Sequence, residues 1–330
     1  MNKLAIWTAT SYLWAVILYL IGRQLVEGWH PMITLINCFI PFLFLPLLII
    51  IPYAFWIRSK ILLASMLPLV GCFIYLYGAL FWPLVPTGAP EPSADDLALM
   101  TFNLGPGQST PEYVAQAIAQ TSADIVAVQE LTVPLAEQLR ADLGTTYPYM
   151  LLDPESETTG LLSRYPIHHV QWYKSRDDVR AYLRAEIEWQ DTLLQVWVFH
   201  PRPPRPAWVE NTIIPLGLDD RVPQQQTREL AENVGTFDDP TIVMGDFNMT
   251  DQAPAYSELS NLLYDAHRQV GWGFGFTFPH LLFINRYMPW PMLRLDYIFY
   301  SGDFRALSSS VSCQADSDHC SMFAVLERMP

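Results

Sequence analysis

The apolar residues of the chain follow two different patterns. Three long apolar segments occupy residues 4–21, 32–57 and 61–84, and each is about as long as a helix that crosses a bilayer, roughly 20 residues. Because three such segments follow one another and no small-residue cleavage pattern follows the first, a signal peptide with buried helices is disfavoured. Pro41, Pro46 and Pro52 would kink the second segment, which membrane helices tolerate. Residues 1–84 are therefore predicted to form a three-helix transmembrane anchor.

The basic residues around these segments predict their orientation. Lys3 precedes the first segment, and Arg58 and Lys60 lie between the second and the third. In the other loop, Arg23 is offset by Glu27. Basic residues are retained on the cytoplasmic side of a membrane. The amino terminus and the 58–60 turn are thus expected in the cytoplasm, and everything after the third span outside it.

Short apolar runs begin after a proline-rich linker, assigned to residues 85–95, and continue through a domain at 96–330. Helices are expected at residues 110–121, 133–143, 219–234 and 256–264. Strands are expected at residues 97–104, 125–131, 150–152, 160–163, 169–173, 182–189, 193–200, 241–248, 295–300 and 322–326. Many strands with a few covering helices predict an α/β sandwich of two sheets with helices outside.

One predicted strand ends in candidate catalytic residues. Its apolar run begins at Ile242 and leads through Gly245 to Asp246 and Asn248. The alternation of side chains along a strand would place Asp246 and Asn248 on the same face. There, a carboxylate could deprotonate a water and an amide could hold that water against a phosphoryl group. The same residues also fit an ordinary turn with Asx hydrogen bonds, so the tetrapeptide alone leaves both interpretations open.

Similar polar groups end other apolar runs of the domain. Each one alone has a structural explanation, as a turn residue, a capping acid or part of a solvated loop. Polar groups that close six apolar strands together predict a shared site. Besides Asp246 and Asn248, they are Asn103, Glu130, Ser163 with Arg164, His200, and Asp296 with Asp318 and His319.

The ordered set of motifs closely resembles the endonuclease/exonuclease/phosphatase superfamily of metal-dependent phosphoesterases, which includes DNase I-like nucleases, inositol-polyphosphate phosphatases and sphingomyelinases. The resemblance covers residues 97–326. It rests on Gly-Asp-Phe-Asn at 245–248, Leu-Asp-Tyr-Ile at 295–298 and Ser-Asp-His at 317–319. It implies a DNase I-like fold, a four-layer α/β sandwich, which agrees with the strand pattern.

The resemblance also implies a metal site. Glu130 would be the main carboxylate ligand of Mg²⁺ or Mn²⁺, with Asn103 nearby and Asp318 completing the inner or outer shell. Hard divalent ions of this kind prefer oxygen ligands. Asn103 could in addition contact the substrate phosphate.

Roles in hydrolysis follow from the same resemblance. Asp246 would position and deprotonate the attacking water, and Asn248 would fix that water against the phosphoryl group. His319, oriented by Asp296, would bind and neutralise a phosphate oxygen.

His200 would assist departure of the leaving group or contact phosphate, and Asp177 or Asp178 could be its acidic partner. The sequence His-Pro-Arg-Pro-Pro-Arg-Pro continues from His200 and contains Arg202 and Arg205. These arginines could clamp a second phosphate of a diphosphate in bidentate fashion, or they could be solvated residues of a rigid surface loop.

Charge narrows the range of substrates. Residues 1–94 carry four basic and two acidic side chains, so the remaining 236 residues have a net charge of −16. A surface this acidic repels polyanions and disfavours a nucleic-acid partner unless metal ions locally invert the field. Lys174 is moreover the only lysine after residue 60. A bound metal would offset the repulsion of a small phosphate dianion.

Two further features have more than one interpretation. Residues 278–292 are too apolar for an ordinary exposed loop, and they either fold over the core or meet the bilayer or a lipid tail. Cys313 and Cys320 flank an acidic loop and could form a disulfide if this loop lies outside the cytoplasm. Cys38 and Cys72 are expected to pack as small hydrophobes.

A phosphoesterase domain tethered to the outer face of a membrane resembles the membrane-anchored bacterial branch of the superfamily, some members of which are associated with glycopeptide (teicoplanin) resistance. The leading hypothesis is hydrolysis of a lipid phosphate, such as a polyprenyl diphosphate, because of the tether, the acidic surface and the apolar loop. The alternatives are a phospholipase C or sphingomyelinase-like phosphodiesterase, a tethered nuclease, and an inactive lipid-phosphate-binding protein. Chemically competent residues at every motif position argue against the last of these. No oligomeric state is predicted.

Overall fold

The computed structural model describes residues 3–26, 30–82, 93, 95–105, 109–154, 158–174, 181–208, 216–280, 290–313 and 316–329. The expected linker at 85–95 lies mostly outside the described residues. The greater part of the apolar loop at 278–292 also lies outside the described residues. Asp177 and Asp178 lie outside them as well. The interpretations given to these segments stay predictions.

The amino-terminal region is a bundle of apolar helices. They are α1 (Lys3–Leu25), α2 (Pro31–Cys38), a 3-10 helix (Ile40–Phe44), α3 (Leu47–Trp56) and α4 (Lys60–Phe81). Within the described residues, α1 and α4 are long and apolar enough to cross a membrane, and the segment from Pro31 to Trp56 is bent by 67° at a break. The break lies at Phe39, two residues before Pro41, whose ring removes a backbone donor. A third span therefore exists only if this bent pair is counted as one.

The rest of the chain forms helices and strands close to the predicted ones. The helices are α5 (Pro111–Thr121), α6 (Val133–Leu143), α7 (Arg221–Val234), α8 (Pro254–Ser260) and α9 (Ala266–Val270). The strands are β1 (Leu97–Asn103), β2 (Ile125–Gln129), β3 (Tyr149–Leu151), β4 (Gly160–Ser163), β5 (Ile167–Lys174), β6 (Ala181–Trp189), β7 (Thr192–Phe199), β8 (Arg205–Ala207), β9 (Gly217–Asp219), β10 (Thr241–Asp246), β11 (Tyr264–Asp265), β12 (Asp296–Tyr300), β13 (Phe304–Ser312) and β14 (Ser321–Arg328).

Twelve of these strands form two six-stranded sheets packed face to face. One sheet has the strand order β13-β14-β1-β2-β4-β3, and the other has the order β11-β12-β10-β7-β6-β5. A core of buried aliphatic and aromatic side chains fills the space between the sheets. Helices α5 and α6 pack on the outer face of the first sheet, and α7 and α8 on the outer face of the second. The result is the four-layer α/β sandwich that the resemblance implied.

The strand directions bring several chain segments to one edge of the sandwich. Strand β1 is parallel to β2, and β10 is parallel to β7, so each of these four strands ends at the same edge of its sheet. Strand β12 runs antiparallel to β10, and β14 runs antiparallel to β1, so these two strands begin at that edge. Residues that follow the first four strands and precede the last two are therefore neighbours.

Polar contacts join the helical bundle to the sandwich at the carboxyl ends of α1 and α4. Arg23 Nη2 donates a hydrogen bond to Gln252 Oε1 at 3.0 Å. From the opposite side, Arg268 Nη2 donates to the backbone oxygen of Leu76 at 2.7 Å. Both long apolar helices thus end at the sandwich, so they run in the same direction.

Aromatic contacts reinforce this junction. The ring of Phe274 lies 5.3 Å from that of Tyr77 and 5.1 Å from that of Phe81, in edge-to-face arrangements. The backbone N–H of Gly273 donates to the backbone oxygen of Leu80 at 2.7 Å. A loop of the sandwich therefore inserts an aromatic side chain into the helical bundle.

Candidate active site

Asp246 lies at the centre of a buried polar cluster at this edge. It is the last residue of β10, and only 1% of its surface is exposed. Its Oδ2 accepts a hydrogen bond from Asn103 Nδ2 at 3.0 Å and lies 3.6 Å from His319 Nε2 and 3.7 Å from His200 Nε2. Three side chains from three other segments thus converge on one carboxylate.

His319 and Asp296 form a buried pair within the cluster. His319 Nδ1 lies 2.8 Å from Asp296 Oδ2, which leaves Nε2 directed at Asp246. Burial lowers the pKa of His319, but the carboxylates of Asp296 and Asp246 raise it more, to about 10. His319 is therefore an imidazolium at neutral pH, and its positive charge offsets the cost of burying the two acids.

Asp246 itself has an unusual acidity. Burial raises the pKa of Asp246 to about 7, against the lowering effect of the neighbouring His319. A carboxyl group with such a pKa can accept a proton near neutral pH, which an ordinary aspartate does far less effectively.

Asn248 reaches the site from a turn and not from a strand. Strand β10 ends at Asp246, and Asn248 adopts a left-handed conformation with φ +51°. Its backbone N–H donates to Asp246 Oδ1 at 2.8 Å, and its Nδ2 donates to the backbone oxygen of Pro201 at 3.1 Å. The prediction that Asp246 and Asn248 share a strand face is therefore wrong. Residues 245–248 therefore form an Asx turn and also contribute Asp246 to the polar cluster.

Glu130 borders the cluster on the side of β2. Its backbone has φ +58°, a conformation that is uncommon for residues other than glycine. Its Oε1 lies 3.4 Å from Asn103 Nδ2 and 3.6 Å from His200 Nε2. Asn103 thus donates toward both Glu130 and Asp246 and links the two sheets.

Asp318 lies in the loop that leads into β14. Burial raises its pKa, and its Oδ1 is a buried atom without a hydrogen-bond partner among the described residues. Gly105, with φ +74°, makes room for this oxygen, since a Cβ at position 105 would lie 2.8 Å from it. Ser317 Oγ anchors the loop by donating to the backbone oxygen of Asn103 at 2.7 Å.

A disulfide between Cys313 and Cys320 closes the loop that carries Asp318 and His319. The sequence did not decide whether this bond forms. The backbone N–H of Cys320 also donates to the backbone oxygen of Thr277 at 2.8 Å. The loop is therefore held at its end by one covalent bond and one backbone hydrogen bond.

The side chains at this edge fit a hard divalent cation. Glu130, Asn103 and Asp318 offer carboxylate and amide oxygens, the ligands that Mg²⁺ and Mn²⁺ prefer. The unsatisfied Oδ1 of Asp318 is an acceptor that such an ion would satisfy. The ligand atoms of Asp246, Asp296 and His319 also lie within 4.8 Å of one another, but the pairing of His319 with both acids accounts for their proximity.

Ser163 and Arg164, which were predicted to join the cluster, lie at the opposite edge of the sheet. Strand β4 is antiparallel to β2, and Ser163 pairs with Ile125 at the opposite end of β2 from Glu130. Arg164 lies beside Asp124 at 3.5 Å. The inclusion of Ser163 and Arg164 in the shared site was wrong because a strand end alone does not show at which edge of the sheet the strand ends.

The two arginines after His200 lie at the border of the site. The backbone N–H of Arg202 donates to Gln226 Oε1 at 2.9 Å. Arg205 is exposed at the start of β8 and is paired with Asp219 of β9 in a two-stranded sheet. The phosphate clamp assigned to Arg202 and Arg205 stays a prediction.

Two positioning residues escaped the sequence analysis. Thr277 Oγ1 accepts hydrogen bonds from the backbone N–H groups of Leu295 and Asp296, at 3.2 and 3.4 Å. Ser317 precedes Asp318 in a motif that was quoted, yet only its hydrogen bond to Asn103 shows that it holds the loop. No sequence signal marks Thr277.

The two-sheet sandwich thus gathers buried acids, amides and histidines at one edge, which is the arrangement that the motifs predicted. Residues 100–319 match the sequence model of the endonuclease/exonuclease/phosphatase family, and the chain belongs to this family. Its members hydrolyse phosphoester bonds. A comparison with curated protein sequences finds no match.

Solved structures of similar fold come from bacteria and animals. An endonuclease/exonuclease/phosphatase protein from Bacteroides vulgatus is 18% identical, with TM-score 0.54, and the alignment covers 71% of this chain and 99% of that one. D. rerio TDP2 in complex with a single-strand DNA product is 16% identical, with TM-score 0.57, covering 70% and 99%. A beta toxin from Staphylococcus aureus is 17% identical, with TM-score 0.52, covering 69% and 99%. At these identities the similarity shows the fold.

Proposed function

We propose that this protein is a membrane-anchored, divalent-metal-dependent phosphoesterase that hydrolyses a lipid phosphate or polyprenyl diphosphate at the outer face of a membrane. The observation that carries the reaction class is the convergence of Asn103, His200 and His319 on the buried carboxylate of Asp246. Burying this many polar groups costs free energy of folding. A carboxylate with only a structural role would not need an amide and two histidines around it.

The attacking water would lie beside Asp246. Its raised pKa, about 7, suits the carboxylate to accept a proton from that water near neutral pH. The Asn248 side chain would hold the water against the phosphorus atom. His319, kept positive by Asp296, would stabilise the charge that develops on a phosphate oxygen.

Glu130, Asn103 and Asp318 would hold the divalent cation, whose chemistry is to polarise the phosphoryl group and neutralise its negative charge. His200, between Glu130 and Asp246, would donate a proton or a hydrogen bond to the leaving oxygen. Arg202 and Arg205 would meet a second phosphate if the substrate is a diphosphate.

Three observations support the outer face of a membrane. The apolar helices α1 and α4 both end at the sandwich, so the basic residues Lys3, Arg58 and Lys60 lie at the far end of the bundle, as the positive-inside rule requires. Parallel spans need a return crossing, which the bent segment from Pro31 to Trp56 can supply. The disulfide between Cys313 and Cys320 is typical of an oxidising compartment.

The substrate class follows from charge and tethering. The net charge of −16 after residue 94 opposes the approach of a nucleic-acid backbone. A tethered enzyme also meets membrane lipids at high local concentration. Both arguments favour a lipid phosphate over the single-stranded DNA product seen with the structural neighbour D. rerio TDP2.

The test is Mg²⁺-dependent hydrolysis by the full chain in detergent, with polyprenyl diphosphate, phosphatidic acid, sphingomyelin and single-stranded DNA as substrates. We expect turnover of the lipid phosphates, lowered about 10³-fold by Asp246→Asn because the proton acceptor is removed. The matched control is Asp191→Asn, the same change at an exposed turn, which should leave the rate unchanged. Hydrolysis of DNA alone would make the protein a tethered nuclease, and no hydrolysis with any divalent metal would make it a binding protein.

A further inference from the structure

Two cavities run along the junction between the helical bundle and the sandwich. The larger has a volume of about 870 Å³ and is walled by the ends of α1 and α4 on one side and by residues 251–269 on the other. The smaller has a volume of about 120 Å³ and lies between α2 and the segment that follows β10. Arg23, Asn37, Ala253 and Pro254 line both cavities, so the two are adjacent, and together they are called the junction groove below.

One end of the junction groove reaches the candidate active site. Asn248 and Pro204 line the smaller cavity. Asn248 is hydrogen-bonded to Asp246 through its backbone N–H and to Pro201 through its side chain. A molecule in this cavity would therefore contact the catalytic edge from the side of the anchor.

The other end of the groove opens toward the apolar helices. Tyr75 and Leu76 of α4 line the larger cavity, and Tyr75 is 86% exposed. Helix α4 is one of the two helices able to cross a membrane. The groove thus leads from the catalytic edge to a helix face that a bilayer would surround.

Arg23 places a positive charge in the middle of the groove. Its guanidinium donates to two neutral amides, Asn37 Oδ1 at 3.2 Å and Gln252 Oε1 at 3.0 Å. Within the described part of the chain, no carboxylate lies within 4.0 Å of it. Asp251 acts on Arg23 electrostatically, but its direct ion pairs are with Arg268 and Arg294. A guanidinium whose charge is not neutralised by a paired carboxylate is well suited to bind an anionic group.

Helix α2 holds the wall of the groove in place. A Cβ at Gly217 would lie 2.5 Å from Pro31 Cβ, so only glycine allows α2 to approach β9 this closely. Thr34 Oγ1 donates to Asp220 Oδ1 at 3.2 Å one turn later. The anchor is therefore a fixed wall of the groove and more than a tether.

We propose that the junction groove is the binding site for the lipid part of the substrate, with Arg23 contacting its anionic head group and the chain leaving the groove beside Tyr75. The anchor then forms part of the substrate-binding site. This inference rests on the proposed phosphoesterase function and adds the path by which a lipid phosphate enters from the bilayer.

Two substitutions test the two parts of the groove in full-length protein in detergent. Arg23→Gln removes the charge, and Ser257→Trp fills the larger cavity from an exposed position of α8. The controls make the same changes at exposed positions of strand β13, as Arg305→Gln and Ser310→Trp. Steady-state kinetics are measured with a long-chain polyprenyl diphosphate and with water-soluble geranyl diphosphate, which share a head group and differ in chain length.

We expect Ser257→Trp to raise KM for the long-chain substrate about tenfold while the kinetics with geranyl diphosphate change less than about twofold. Arg23→Gln should raise KM for both diphosphates about tenfold with little change in kcat, since a charge-assisted hydrogen bond to the head group is lost. Both controls should match the wild type.

Unchanged KM values for the long-chain substrate in both variants would overturn the groove inference and leave the phosphoesterase function intact. Equal losses on both substrates with Ser257→Trp would also overturn it, because the chain would then make no separate contact. Wild-type protein that hydrolyses no lipid phosphate would instead refute the proposed function on which the inference depends.

Discussion

The Gly-Asp-Phe-Asn segment shows how one tetrapeptide serves both a turn and a site. Asn248 donates its backbone N–H to Asp246 Oδ1, which is the ordinary Asx turn of these residue types. This hydrogen bond occupies only one oxygen of the carboxylate. The other oxygen faces Asn103, His200 and His319. The residues were predictable from sequence, whereas the left-handed backbone that delivers Asn248 was not.

The acidity of His319 can be tested through Asp296. Because the neighbouring acids raise its pKa from 6.5 to about 10, the imidazolium persists below that pH and is lost as the pH rises through it. Asp296→Asn removes one raising charge while burial still lowers the pKa. We expect the alkaline limb of the pH–rate profile to move about 1 to 3 pH units toward neutral.

The control for this change is again Asp191→Asn, which should keep the alkaline limb in place. The ring signals of His319 in a nuclear magnetic resonance titration report the same shift without substrate. An alkaline limb that does not move in Asp296→Asn would show that the imidazolium of His319 is not required.

At the scale of helices and strands, local patterns predicted most elements to within a few residues of their bounds. Strand β4 and helix α6 have the predicted bounds. Strand β13 was missed because Ser308, Ser309 and Ser310 interrupt its apolar alternation; its backbone pairing with β14 stabilises it instead. The predicted helix at 256–264 ends at Ser260, and Tyr264 turns into β11 to pair with β12. Pairing between distant segments is not encoded in a local pattern.

The disulfide-closed loop gives a prediction at this scale. In a Cys38→Ala, Cys72→Ala background, which lacks the two free thiols, the further change Cys313→Ser, Cys320→Ser releases the loop that carries Asp318 and His319. We expect a loss of about 2 kcal/mol of stability from the regained freedom of the unfolded loop, with a lower kcat. Thermal unfolding and kinetics in detergent measure the two effects.

The background protein without further change is the reference, and dithiothreitol should reproduce both effects in it. If kcat is unchanged while the melting temperature falls, the loop is held at the active site by its hydrogen bonds alone.

At the scale of the whole molecule, the sandwich and the helical bundle form one unit. Phe274 packs between Tyr77 and Phe81, and Arg23 reaches across to Gln252. None of these contacts could be predicted from the sequence, because they join distant segments. In the sequence, an arginine at the end of an apolar segment indicates only orientation. The structure shows that Arg23 also joins the bundle to the sandwich, and we propose that it binds the head group of the substrate.

The orientation of the molecule can be tested by cysteine labelling in the same thiol-free background. Ile57→Cys, next to the 58–60 turn, should react with a membrane-impermeant maleimide only after lysis of spheroplasts of a bacterial host. Asp191→Cys, on an exposed turn of the sandwich, should react in intact spheroplasts. This follows if Arg58 and Lys60 stay in the cytoplasm. The reverse pattern would place the sandwich in the cytoplasm.

The sequence by itself determined the layered α/β fold, the apolar helices and the identities of Asn103, Glu130, His200, Asp246, Asp296, Asp318 and His319, because apolar periodicity and motif chemistry are local properties of a chain. Only the tertiary structure decided which strand ends share an edge. It excluded Ser163 and Arg164, paired Cys313 with Cys320, and placed the helical bundle against the sandwich. The physical reason is that strand direction and contacts between distant segments depend on how the whole chain packs, and no local pattern records them.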